Sequence, residues 1–65
     1  MNNKIHDGSI ALPCKLRDVF NEGFYTDHQF EVIDAGNQTV CIIWRCGKAG
    51  MIMGEKIVAA LNKGE

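Results

Sequence analysis

The sequence predicts a small single α+β domain of order helix, strand, strand, helix, in which an antiparallel hairpin packs under two helices. Three observations predict it. Apolar residues fall at helical spacing between Leu12 and Phe20, two β-branched and aromatic runs flank Ala35-Gly36-Asn37, and a second helical stripe begins near Met51.

Residues 1 to 9 are polar apart from Met1 and Ile5 and contain the turn dipeptide Asp7-Gly8, so they read as an N-terminal arm ahead of a domain spanning 10 to 65. Leu12, Leu16, Val19 and Phe20 recur at i, i+4, i+7 and i+8, while Lys15, Arg17, Asp18, Asn21 and Glu22 take the opposite side. That pattern predicts a helix over 13 to 22, begun at Pro13 and stopped by Gly23. A competing period of two runs through Ile10, Leu12, Cys14 and Leu16, and would read as a strand entering this segment before Lys15.

The hairpin comprises residues 28 to 34 and 38 to 45. A three-residue loop at 35 to 37 pairs Val32 with Val40, Phe30 with Ile42 and His28 with Trp44. All the large residues then share one face, beneath the helices, and Asp27 aligns with Arg45 on the other. A two-residue loop would instead bring Glu31 onto the face of the core, at the cost of burying a carboxylate. The three-residue register leaves Ile33, Cys41 and Ile43 as a semi-apolar outer surface among Gln29, Glu31 and Thr39. Residues 46 to 50 break the strand, and Met51 to Lys63 form the last helix, with Met53, Ile57, Ala60 and Leu61 facing the sheet and Lys63 at the negative end of its dipole.

Charge narrows the function. Seven Lys and Arg stand against eight Asp and Glu, for a formal net charge of −1, and they are scattered, so neither a basic nucleic-acid footprint nor an acidic mimic of one can be assembled. No apolar run has the length of a membrane span, and Met1-Asn2-Asn3-Lys4 is followed by no signal-peptide core, which makes the cytoplasm the expected compartment. Cys14, Cys41 and Cys46 are too few for a disulfide scaffold and fit reduced thiols.

The same cysteines are not spaced as a metal knuckle, and no metal or other cofactor is expected. Cys46 before a helix start is the one thiol in a reactive setting, with His28 near it in the predicted register, yet an edge histidine packed on the Trp44 indole accounts for that pair without catalysis. No Gly-x-Ser-x-Gly or His-Glu-x-x-His stretch is present, so the chain is not expected to be an enzyme. Arg45, Gly47, Lys48 and Gly50 sit between a strand and a helix, where glycines can aim backbone N–H groups at a phosphate, and they give an alternative reading as an anion or nucleotide site. Trp44, Tyr25, Phe24 and Met51 or Met53 offer one reading as an exposed aromatic and sulfur-rich binding surface, against which Trp44 and Met53 are assigned to the core. Tyr25, Ile33, Cys41 and Ile43 are the candidate partner-binding residues, because a hairpin covered on one side leaves its other side available. In so small a domain that apolar face also predicts a homodimer sheltering it.

From Glu31 to Asn62 the order "EVIDAGNQTVCIIW…GEKIVAALN" resembles small accessory proteins of phages and prophages, in which a hairpin is followed by a helix ending Ile-Val-Ala-Ala-Leu-Asn. The turn Asp34-Ala35-Gly36-Asn37 departs from their Asp-x-Asp-Gly form. The resemblance implies a non-enzymatic protein that binds a host or defence protein, as inhibitors of defence systems such as CRISPR nucleases do, by covering its surface. It transfers no functional residues.

Overall fold

A computed structural model describes residues 10 to 63, so the arm expected over 1 to 9 lies outside the described residues. The α+β class holds. The elements are β1 (Lys15–Asp18), β2 (Phe30–Ile33), β3 (Thr39–Ile43) and α1 (Gly47–Lys63), with the strands in one antiparallel sheet of order β1-β2-β3 and α1 on one face. The predicted order of helix, strand, strand, helix is therefore corrected to three strands and one helix.

The segment read as the first helix is β1 followed by a turn. Leu16 pairs with Val32 and Arg17 with Glu31, so Lys15 and Arg17 point away from α1 while Leu16 points toward it. The tertiary ladder outweighs a helical stripe of only four apolar positions, and the competing alternation places its strand too early, since of Ile10, Leu12, Cys14 and Leu16 only Leu16 lies in β1. The helix stop signal nevertheless operates. Phe24 N–H donates to the Val19 carbonyl at 2.8 Å and Gly23 N–H to that of Phe20 at 3.2 Å, with Gly23 at φ +88°. This is a Schellman closure on a single turn, and only glycine adopts that φ without strain.

The hairpin loop is the expected one. Asp34 N–H donates to the Gln38 carbonyl and Asn37 N–H to that of Asp34, each at 3.0 Å, and Asn37 takes φ 65°. Asp34 Oδ1 accepts from the N–H groups of Gly36 and Gln38 at 2.9 Å, and these bonds hold its carboxyl below the usual range, against the opposing effect of burial.

The register fails one step further on. Ile33 pairs with Thr39 in the expected phase, but Val32 pairs with Cys41, Glu31 with Ile42 and Phe30 with Ile43, with Val40 the extra residue of a β-bulge. Beyond Val40 the two faces of β3 are exchanged. Ile43 is 2% exposed in the core, whereas Ile42 and Trp44, expected beneath the helices, are 40% and 68% exposed. Ile33, on the outer side, is only 1% exposed. The main core cluster is Cys14, Phe30, Val32 and Ile43, with Leu12, Leu16, Val40, Cys41, Ile57, Val58 and Leu61 packed against it, and Val19 and Ile33 are buried besides. Asp27 and Arg45 make no ion pair among the described residues.

Helix α1 begins at Gly47, one turn before the expected start, and meets the sheet through Gly50 and Gly54, its buried residues. A Cβ on Gly54 would lie 2.4 Å from Leu16 Cδ1, and one on Gly50 2.0 Å from the Arg45 carbonyl oxygen. Absence of a side chain is what allows this close approach. Asn62 fastens the other end, accepting from Cys14 N–H at 2.7 Å and donating from Nδ2 to the Cys14 carbonyl at 3.1 Å. The helix is turned so that Met53, assigned to the core, is exposed with Met51 and Ile52.

Candidate functional site on the outer face of the sheet

The face away from α1 carries a polar cluster centred on Glu31. Because β1 and β2 are antiparallel, Arg17 stands directly across from Glu31, and its Nη2 donates to Glu31 Oε1 at 3.2 Å. Thr39 Oγ1 donates to the same oxygen at 3.2 Å from β3. His28, just before β2, places Nε2 2.6 Å from Glu31 Oε2. An ionised carboxylate accepts only, so that ring nitrogen carries the proton. The His28 hydrogen bond, followed by those of Arg17 and Thr39, holds the Glu31 carboxyl below its ordinary range despite burial.

Aromatic rings flank the cluster on both sides. The Arg17 guanidinium lies 5.1 Å from the centroid of the Phe24 ring, and the His28 ring meets Trp44 edge to face at 5.5 Å between centroids. Direct contacts thus run Phe24, Arg17, Glu31, His28, Trp44 in an unbroken row. Its interior is nearly dry, with the Glu31 and His28 side chains 11% and 9% exposed. Its ends are not: Phe24 and Trp44 are exposed, as is Ile42 across from Glu31. Beyond Phe24 the Schellman turn shapes an open cleft of about 410 Å³ lined by Phe20, Gly23, Phe24, Tyr25 and Thr26.

Of the predicted partner-binding residues, Tyr25 is fully exposed beside this row and Cys41 is half-buried on the helix side of β3. Ile33 and Ile43 are corrected from surface to interior, Ile43 because the bulge turned it inward. The anion loop is also altered. Gly47 N–H donates to Gln29 Oε1 at 2.7 Å, and Gln29 Nε2 reaches Asp18 Oδ2 at 3.1 Å, so a side chain of the domain already caps that helix N–H. Gly50 is buried inside α1, while Arg45 and Lys48 are exposed.

The cysteines stay apart in character. Burial raises the Cys14 thiol, with Asp34 and Cys41 acting in the same direction, and Cys46 is exposed. Among the described residues no three His, Cys, Asp or Glu side chains gather as a metal site, and no helix is long and apolar enough to cross a membrane.

Sequence reasoning weighed Phe24 as a surface residue without choosing it, placed Ile42 and Trp44 beneath the helices, and missed Arg17 as the partner of Glu31. The chain matches no protein family, no curated protein and no solved structure.

Proposed function

We propose that this chain is a non-enzymatic protein-binding module whose contact surface is the outer sheet face, with Phe24, Tyr25, Ile42 and Trp44 as its apolar contacts. The observation that supports it is the row of contacts through Glu31, which holds exposed Phe24 and Trp44 in place from beneath. Binding energy in protein interfaces concentrates in aromatic and Arg anchors that fill pockets on the partner, and anchors already ordered lose little entropy on binding. The phage-type resemblance of residues 31 to 62 points to a host or defence protein as that partner, met in the cytoplasm. The alternative nucleotide site is disfavoured because the side-chain Oε1 of Gln29 already accepts from the Gly47 N–H.

The test uses the intact chain as bait in a lysate of its native host, followed by titration of the purified partner. Trp44→Ala and Tyr25→Ala should each weaken binding by ~10-fold or more, and Lys48→Ala should leave it unchanged. Equal affinity in all of them refutes the outer face. A thermal shift with a nucleotide panel examines the alternative, since a ligand at 100 times its Kd adds ~2.7 kcal/mol, and a shift lost in Lys48→Ala would overturn the protein-binding reading.

A further inference from the structure

The two edges of the sheet differ in kind. At the β1 edge, Lys15, Arg17 and Asp18 put a charge at three of four positions, the usual guard against strand pairing between molecules. At the β3 edge, Thr39, Val40, Cys41, Ile42 and Ile43 carry none, and neither does Gln38 before them or Trp44 after. Among the described residues β3 hydrogen-bonds to β2 alone, and α1 lies mainly across β1 and β2, so β3 is the strand with least cover. Val40 and Cys41 remain half-buried, and Ile42 and Trp44 are exposed.

We propose that the free edge of β3 pairs antiparallel with β3 of a second copy of this chain, joining two sheets across a two-fold axis. In a two-fold contact residue i of one strand faces residue j of the other and j faces i, so β3 meets itself with no charge to desolvate or oppose in any register, whereas β1 would bring Lys15, Arg17 and Asp18 into the contact. Four of the five residues of β3 are β-branched and none is Pro, Gly or charged, and beyond the bulge at Val40 the regular run from Cys41 to Ile43 suits a ladder. Pairing takes place in the plane of the sheet and leaves the outer face free, so the dimer presents two aromatic rows on one continuous surface. This inference does not rest on the identity of any partner.

Sedimentation equilibrium over a concentration series up to the millimolar range should give the mass of two chains for the wild type. A Thr39→Lys/Ile42→Lys variant should raise the dimer dissociation constant by about 100-fold or more, by placing like charges along the edge, with its far-ultraviolet circular dichroism unchanged. Hydrogen exchange on the wild type supplies a readout that needs no variant. Amides of β3 that exchange freely in dilute solution should become protected as the dimer forms. The mass of a single chain at every concentration overturns the proposal. So does a dimer that persists in the variant, or one whose β3 amides exchange at the same rate in dilute and concentrated solution.

Discussion

Replacing Glu31 with Gln probes the centre of the outer face with almost no change of shape. The carboxylate accepts from His28 at 2.6 Å and from Arg17 and Thr39 at 3.2 Å each. Gln keeps one acceptor oxygen for Arg17 and Thr39, and its amide can donate to a retautomerised His28, so the main loss is charge. Among the described residues Arg17 then has no counter-ion, and its Nε is already buried without a hydrogen-bond partner. Removing one member of a fully buried pair costs ~3–5 kcal/mol, and hydrogen bonds to charged groups contribute ~1.5–3 kcal/mol. The Arg17 and Glu31 side chains are 23% and 11% exposed, which discounts the first figure and leaves about 2 kcal/mol. For a domain of this size that lowers Tm by roughly 8–16 °C.

The pH dependence follows from the lowered Glu31 carboxyl. Its stabilising contribution is complete above the ordinary glutamate range and disappears as pH falls through the lower value of the folded state. Urea unfolding of wild type and Glu31→Gln at a series of pH values should therefore show curves separated at pH 7 that converge in acid. Equal stability at pH 7, or a difference that persists unchanged in strong acid, would refute the charge-based account.

The exchanged faces of β3 predict that Ile43→Ala costs ~2–5 kcal/mol in chemical denaturation while Ile42→Ala costs well under half as much, the reverse of what the unbulged register requires. Gly50→Ala meets the rigid Arg45 carbonyl and should cost ~1–3 kcal/mol or more despite the better helix propensity of Ala; Gly54→Ala meets a Leu16 methyl that can rotate, and should lose less on thermal melting. Asn62→Ala removes both bonds to the Cys14 backbone and should cost ~1–3 kcal/mol, with faster hydrogen exchange at the Cys14 amide as its local signature.

What the sequence reveals depends on how strongly each segment constrains its own phase. The hairpin loop is legible because Asp34, Gly36 and Asn37 each have a conformational task in it, and α1 because its small and apolar residues recur over many turns. β1 is not, since Leu12, Leu16, Val19 and Phe20 satisfy a helical spacing and only pairing with β2 decides between the two periods. The bulge at Val40 is hidden for another reason. Val40, Cys41, Ile42 and Ile43 are apolar without interruption, and such a run carries no alternation to reveal a slip of one residue. Both errors converge on the candidate site. Arg17 could not be matched to Glu31 while it belonged to a helix, and Trp44 could not be placed outside while the register kept it in. Glu31 itself was legible on the outer face, because a carboxylate is costly in the core.

Trp44 is the single tryptophan of the chain, and its surroundings report on the outer face directly. At concentrations where the chain is monomeric, its fluorescence should be red-shifted and quenched by iodide nearly as efficiently as a free indole, and Ile42→Ala should scarcely alter either property. A blue-shifted emission shielded from iodide would place Trp44 beneath the helix and contradict both the bulged register and the binding surface built on it.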